Sequence, residues 1–189
     1  MAKSNLRQFD YRKVAELDCR IWQAYYSHKF IRLFFLTVQL LRTQLRLSLY
    51  RTLKMSYYFS IASVEYRLNK KHMSSDRTLK NLTKFYRIIS TNSTQPFDFV
   101  RAAQMELDWW NVQRYDRGDK KALQLGLAKT FAVVYHTQTD KVLAYGRYRT
   151  DALDLKNKYL HVEHIEPKWH EIEKLLLQSW KSLHEAVQK

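Results

Sequence analysis

The chain has 189 residues, of which 46% are apolar and 14% aromatic, and it contains only three glycines, two prolines and one cysteine. This composition excludes a disordered chain, because so many aromatic side chains must be buried, and the length suits one compact domain. The chain is also strongly basic, with 33 Lys and Arg against 18 Asp and Glu, a formal net charge of +15. We therefore expect a single domain with an affinity for polyanions.

The single cysteine, Cys19, excludes an internal disulfide and a thiolate zinc site, which fits a reducing compartment. The first residues lack the apolar stretch of a signal peptide. The most apolar uncharged segment, at positions 33–41, is far shorter than the roughly 20 residues of a membrane-spanning helix. We therefore expect a cytoplasmic protein.

Apolar residues recur every three or four positions along most of the chain, and Gly and Pro are rare. Both features favour helices over strands and predict an all-α bundle of about six to eight helices. Asp10, Asp98, Asp119 and Asp140 are expected to cap helices, and Pro167 suits a first helical turn. The expected helices are 10–28, 30–47, 49–70, 77–90, 97–116, 119–136, 140–157 and 167–187, with the first two either joined or separate.

Two parts of the chain, 9–92 and 97–187, resemble one another. The motif FDY at residues 9–11 corresponds to FDF at residues 97–99, and similar residues then follow in the same order, with two inserted residues farther on. An internal duplication would give two pseudo-symmetric halves, each too small to bury its apolar surface alone. The alternative is an ordinary bundle whose similar helical periods align by chance.

Two acids fall on the expected buried sides of corresponding helices. Asp18 precedes Trp22 by four residues, and Glu106 precedes Trp110 by four, so each acid shares a helix face with a tryptophan. A buried carboxylate is unfavourable unless a cation, a metal or several hydrogen-bond donors compensate it. We therefore expect partners for both Asp18 and Glu106.

Two interpretations of these acids stay open. In the first, each carboxylate is a structural anchor that accepts hydrogen bonds from an Arg, Tyr or Trp of a neighbouring helix, with Arg147 or Arg149 as natural partners. In the second, the helices form a pocket for a small ligand or a metal. The ligand-binding residues would then be Asp18, Trp22, Glu106, Trp109 and Trp110.

Catalytic and metal-binding motifs are scarce. The Glu-x-x-His pairs of di-iron bundles are absent, and His161, His164 and His170 surround Pro167, which favours a loop or a helix start. The sequence also lacks a nucleophile elbow, a glycine-rich phosphate loop and a zinc-protease motif. We therefore predict no catalytic residue, no bound metal and no cofactor, and we disfavour an enzyme.

The positive charge is concentrated in the first half of the chain. Between residues 20 and 97 there are 14 Lys and Arg but only two acids, Glu65 and Asp76. Such a surface favours a non-enzymatic binding or scaffold protein whose partner is a nucleic-acid backbone, an acidic protein or an anionic membrane surface. The expected polyanion-binding residues are Arg32, Arg42, Arg46, Lys70, Lys71, Arg77, Lys80, Lys84 and Arg87.

The segment 30–51 has a second interpretation. It combines a strongly apolar side with arginines, as helices at membrane surfaces do, although a central bundle helix has the same pattern. The aromatic residues fall mainly at core spacing, but an exposed aromatic patch would also allow a homodimer. Peripheral membrane contact and self-association are therefore retained as alternatives.

Overall fold

The computed structural model of the chain describes residues 3–68, 76–116, 118–160 and 168–188. Within these ranges the chain is all-α and contains no strand, apart from one isolated bridge between Ser4 and Ser93. The all-α prediction is therefore confirmed. The helices are α1 (Tyr11–Tyr26), α2 (Phe30–Leu45), α3 (Leu49–Leu68), α4 (Asp76–Asn92), α5 (Phe99–Tyr115), α6 (Lys120–Tyr135), α7 (Leu143–Leu160) and α8 (Trp169–Gln188).

The eight helices form a closed ring. Each helix packs against the next along the chain, and α8 packs back against α1. Because the connections are short, successive helices run antiparallel. The odd-numbered helices therefore end at one end of the ring, and the even-numbered helices end at the other.

The segment before α1 covers the end of the ring at which the even-numbered helices finish. The Ser4 hydroxyl donates to the Leu45 carbonyl of α2, and the Ser4 amide donates to the Asn92 carbonyl of α4 at 2.8 Å. The Arg7 guanidinium donates to the Tyr135 carbonyl of α6 at 3.2 Å. These bonds use carbonyls that a helix C-terminus leaves unpaired, so the segment before α1 closes this end of the ring.

Three of the four predicted helix caps are confirmed. The side chains of Asp10, Asp98 and Asp119 each accept hydrogen bonds from backbone amides in the first turn of the following helix. The cap predicted at Asp140 is wrong, because Asp140 is the first residue of a short 3₁₀ helix, Asp140–Val142, that leads into α7. Pro167 lies outside the described residues.

The first two predicted helices are separate. The chain turns over Ser27 to Lys29, where His28 takes a left-handed backbone conformation with φ 56°. The Ser27 hydroxyl also donates to the Gln23 carbonyl at 2.7 Å and so satisfies one of the last carbonyls of α1.

The helix ends of the two halves correspond. Asp10 and Asp98 cap α1 and α5, and each accepts bonds from the amides two and three residues farther on. Helices α2 and α6 each finish at a residue in the left-handed conformation, Arg46 with φ 52° and His136 with φ 48°. These correspondences agree with the offset in the sequence, while the duplication itself stays a prediction.

Helices α6 and α7 approach one another closely at Gly146. A Cβ atom at this position would lie 2.4 Å from the carbonyl oxygen of Gln124 on α6, so the two backbones would have to separate. We predict that Gly146→Ala lowers the free energy of unfolding by about 1–3 kcal/mol.

The matched control for this prediction is Gly118→Ala, because a Cβ on Gly118 would meet no other described atom within 4 Å. This change is expected to alter the free energy of unfolding by no more than about 0.5 kcal/mol. Urea denaturation of the two variants and the wild type makes the comparison. Equal effects of the two substitutions would contradict the close approach of α6 and α7.

Candidate functional site

All eight helices contribute to one central cavity of about 310 Å³. Asp18 of α1 and Glu106 of α5 both line it, as does Arg149 of α7. Trp22 and Trp109 also line this cavity, so four of the five residues predicted for a ligand site surround one space. The fifth, Trp110, contacts Glu106 through its indole nitrogen and lines a neighbouring groove instead.

Asp18 connects three helices. Its carboxylate accepts two hydrogen bonds from the Arg149 guanidinium of α7, at 2.5 and 3.3 Å, and one from Trp180 Nε1 of α8, at 2.8 Å. Burial disfavours the charge on Arg149, but the Asp18 carboxylate outweighs this effect and raises the pKa of Arg149. Arg149 therefore keeps its positive charge in the interior of the ring.

Glu106 is held by uncharged donors. Its carboxylate accepts hydrogen bonds from Tyr86 Oη and Trp109 Nε1, both at 2.9 Å, and from Trp110 Nε1 at 3.0 Å. Burial raises the pKa of Glu106, although the three hydrogen bonds and the positive charge of Arg149 act in the opposite direction. Glu106 is thus a buried acid whose proton affinity is higher than in water.

The partners of both acids are of the kind that the structural interpretation expects. Arg149 is one of the two arginines considered for this role, whereas Arg147 is exposed and lies over the ring of Tyr148 at 4.9 Å. Among the residues that the structure describes, no group of three metal-ligating side chains occurs. His161 and His164 lie outside the described residues. A ligand between Asp18 and Glu106 stays a prediction.

A larger outer cavity of about 590 Å³ lies toward the opposite end of the ring. It shares Trp22, Trp109 and Arg149 with the central cavity, so the two spaces adjoin. Its wall comes from the C-terminal halves of α1, α3 and α5, the N-terminal half of α2 and part of α7. Most of this wall is apolar, and it includes Ile21, Leu33, Phe34, Phe59, Val64 and Leu153.

A polar groove of about 500 Å³ lies beside the outer cavity and shares Tyr26, Arg67 and other residues with it. Arg114 of α5 lies 3.7 Å over the ring of Tyr66 and donates to the Tyr66 carbonyl at 2.6 Å. Lys156 of α7 is only 5% exposed. Its Nζ donates to Tyr26 Oη at 2.6 Å and lies 4.5 Å from the centre of the Tyr26 ring.

Sequence reasoning missed Arg114 and Lys156 because both lie outside the basic first half of the chain. One signal was present for Lys156, since Arg149, Leu153 and Lys156 are spaced four and then three residues apart and so share one face of α7. That face lines the outer cavity and the polar groove.

Most of the predicted polyanion-binding residues lie on the outside of α2 and α4, and we call them the basic face. Six are exposed, whereas Lys84 is partly buried with its Nζ 5.1 Å from the centre of the Tyr58 ring. Of the ion pairs within the described ranges, none includes a cation of the basic face. Lys70 and Lys71 lie outside the described residues. The basic face consists of Arg32, Arg42, Arg46, Arg77, Lys80, Lys84 and Arg87.

The outer surface of α2 and α3 also exposes large apolar side chains, which we call the apolar stripe. Tyr50 and Tyr57 depart from the core positions that most aromatic residues were expected to take, since Tyr50 is 72% and Tyr57 57% exposed. On α2, Ile31 and Phe35 are exposed on the same side as Arg42 and Arg46. The apolar stripe consists of Ile31, Phe35, Tyr50, Tyr57, Val64 and Leu68.

None of the described helices is both long and apolar enough to cross a membrane. Comparison with protein-family models, with curated proteins and with solved structures finds no match. The fold and the cavities therefore define the protein only by class, as an all-α ring of helices around an aromatic cavity that contains buried charges.

The raised pKa of Glu106 predicts how stability depends on pH. Above the ordinary pKa of 4.5 and below the raised value, the folded protein holds a proton on Glu106 that the unfolded chain has released. In this window stability falls as the pH rises. Relative to Glu106→Gln, the wild type is expected to lose about 1.4 kcal/mol for each unit by which the pKa is raised.

The measurement is urea denaturation of both proteins at several pH values between about 4 and 7. Because the two proteins share all other titrating groups, the difference between their free energies of unfolding isolates Glu106. A difference that stays constant across this range would show that the pKa of Glu106 is not raised.

The ion pair between Asp18 and Arg149 generates a further prediction. Asp18→Asn leaves the guanidinium buried without a compensating charge, so the free energy of unfolding is expected to fall by about 3–5 kcal/mol. Adding Arg149→Met removes that charge, and the double variant is expected to be more stable than Asp18→Asn alone.

Chemical denaturation of the wild type, the two single variants and the double variant measures the coupling energy between the residues. Additive effects would contradict a direct interaction between the two side chains.

Proposed function

We propose that the protein is a non-enzymatic binding protein that attaches to an anionic membrane surface through the outer sides of α2, α3 and α4. The observation that supports the proposal is the proximity of the basic face and the apolar stripe. Helices α2, α3 and α4 are consecutive in the ring, so their outer sides are contiguous. Cations that attract anionic lipid head groups thus surround apolar side chains that insert between them.

The apolar stripe favours a membrane over the other polyanions considered. Ile31 is 79% and Leu68 75% exposed. A patch of large exposed apolar side chains indicates a surface that contacts a membrane or another protein. A nucleic-acid backbone is bound through charge alone and gives these side chains no apolar contact. Insertion to the depth of the head groups buries both apolar side chains and leaves the nearby arginines at the level of the phosphates.

A second copy of the chain is a less suitable partner. In a symmetric dimer the same surface meets itself, so Arg42 and Arg46 of one copy would approach cations of the other. The region from residue 20 to residue 97 holds 14 Lys and Arg but only two acids, so it offers few carboxylates to neutralise them. Like charges across an interface oppose association.

The proposal is tested by sedimentation with phosphatidylcholine vesicles, with and without phosphatidylserine, at low and high salt. The wild type is expected to bind the anionic vesicles, to bind neutral vesicles much more weakly, and to dissociate as salt is added. Arg42→Glu combined with Arg46→Glu is expected to lower the partition coefficient by at least about tenfold. Both side chains are exposed, so stability is expected to change little.

The matched control is Lys121→Glu combined with Lys129→Glu, which reverses two exposed charges on α6, a helix that packs between α5 and α7 rather than beside the basic face. This control is expected to keep most of the vesicle binding. Tyr50→Ser combined with Tyr57→Ser tests the apolar stripe and is expected to weaken binding while leaving its salt dependence unchanged.

A labelled DNA duplex under the same conditions tests the alternative partner. Binding to the duplex without binding to vesicles would overturn the membrane proposal in favour of nucleic acid. Binding to neither would overturn the role of the basic face altogether.

A further inference from the structure

We propose that the central cavity and the outer cavity together bind one neutral, planar and largely apolar molecule, whose carbonyl oxygen accepts hydrogen bonds from the Arg149 guanidinium. This gives a ligand class to the pocket that the sequence predicted around Asp18 and Glu106. The site lies inside the ring, whereas the basic face and the apolar stripe lie on its outer surface. The inference therefore does not depend on the membrane proposal.

The two cavities share an aromatic wall. Their volumes of about 310 and 590 Å³ lie within the range of roughly 300–1,000 Å³ that is typical of small-molecule sites. Trp22, Phe59 and Trp109 line both cavities, as do Ile21 and Arg149. A molecule that extends from one cavity into the other therefore stays in contact with aromatic and aliphatic side chains. Such walls favour a planar ring system, because aromatic rings stack on one another or meet edge to face.

Arg149 has hydrogen-bond donors that its protein partner does not use. A guanidinium carries five N–H groups, and Asp18 accepts one bond from Nη1 and one from Nη2. Within the described part of the chain, Asp18 is the only residue that accepts hydrogen bonds from Arg149. The Arg149 side chain is 18% exposed, and because it lines both cavities, this exposed part faces them.

The surroundings of the guanidinium make an additional acceptor favourable. The Cζ atom of Arg149 lies 5.6 Å from the centre of the Trp22 ring and 5.9 Å from the ring centres of Tyr145 and Trp180. These rings attract the positive charge, but they do not replace a strong acceptor for the N–H groups. A hydrogen bond in such a poorly hydrated place is electrostatically stronger than one in water. A ligand oxygen would therefore complete the hydrogen bonding of Arg149.

The buried charges favour a neutral ligand. The Asp18 carboxylate already forms an ion pair with Arg149, so an anionic ligand would add a buried negative charge without a cation of its own. A cationic ligand would instead meet the positive charge of Arg149, which lines both cavities. Glu106 would compensate such a ligand poorly, because burial raises its pKa and three uncharged donors already hold its carboxyl group. A carbonyl oxygen meets neither difficulty.

The test uses four probes that share a naphthalene ring: 2-acetylnaphthalene, 2-isopropenylnaphthalene, 2-naphthoate and 2-naphthylmethylammonium. The first two have nearly the same shape, and the alkene differs from the ketone only in lacking the carbonyl oxygen. Equilibrium dialysis measures the dissociation constant of each probe. The ketone is expected to bind at least about tenfold more tightly than the alkene, because its oxygen accepts from a charged donor. Both ions are expected to bind at least about tenfold more weakly than the ketone.

A double variant tests the donor. Asp18→Asn combined with Arg149→Met removes the guanidinium and its counter-charge together, so no buried charge is left unpaired. The double variant is expected to bind the ketone no more tightly than the alkene, while its affinity for the alkene stays close to that of the wild type.

A second variant tests the place of binding. Thr37 lines both cavities, so Thr37→Trp fills the space where they adjoin and is expected to weaken binding of the ketone and the alkene at least about tenfold. The matched control is Thr91→Trp, at an exposed position in the last turn of α4 that lines neither cavity. In both threonines the hydroxyl donates to the carbonyl four residues earlier, so the two changes remove the same hydrogen bond. The control is expected to bind like the wild type.

Equal affinities of the wild type for the ketone and the alkene would overturn the inference, as would an ion that binds as tightly as the ketone. A preference for the ketone that persists in the double variant would show that Arg149 is not the donor. Unchanged binding by a Thr37→Trp protein that melts like the wild type would place the probes outside the cavities. The comparison of the four probes needs no variant, so it decides the question even where a variant fails to fold.

The internal site and the surface function can fail independently. Vesicle binding is expected to be unaffected by Thr37→Trp, because Thr37 belongs to neither the basic face nor the apolar stripe. Binding of the ketone is expected to be unaffected by Arg42→Glu combined with Arg46→Glu, since neither arginine lines either cavity.

Discussion

The closure of the ring depends on the bonds that the Asp18 carboxylate receives from Arg149 and Trp180. These bonds join α1 to α7 and α8, the helices that meet where the two ends of the chain come together. Removing two charges from water is unfavourable, and such a pair is tolerated only when its hydrogen bonds are well made. Glu106 has a similar role between α4 and α5, where Tyr86 and Trp110 hold it without a cation in direct contact. The ring is thus fixed by polar groups at its centre as well as by apolar packing.

Among the described residues, the two ends of the ring differ in their structure. On one side, residues before α1 satisfy the final carbonyls of α2, α4 and α6 and close the ring. On the other side, the ends of α1, α3 and α5 remain apart around the outer cavity. Arg149 lies between the central and outer cavities, where Asp18 holds its guanidinium. Within the described ranges, this arrangement leaves an apolar space toward the end of the ring opposite to the segment before α1.

The outer surface follows from the same architecture. A helix in a ring turns one side inward and contacts a neighbour on each flank, so its remaining side faces solvent. In helix α3 apolar and polar residues are mixed on all sides, and the ring covers only part of the helix, which leaves Tyr50, Tyr57 and Val64 outside. Beside them, α2 turns Arg42 and Arg46 outward while its leucines fill the core. On our proposal, a surface with both properties binds an anionic membrane rather than a purely polar polyanion such as nucleic acid.

The sequence alone determined the helices, three of their caps and the inward position of Asp18 and Glu106, because periodicity and capping depend on residues within one or two helical turns. It did not determine which side of α3 is exposed, since apolar and polar residues are mixed around this helix and give no periodic signal for its buried side. The sequence also did not indicate which of Arg147 and Arg149 is the partner of Asp18. It gave no sign that Lys156 lies at the same groove as Arg67 and Arg114. Those pairings join residues far apart in the chain, and only the packing of α7 against its neighbours in the closed ring decides them.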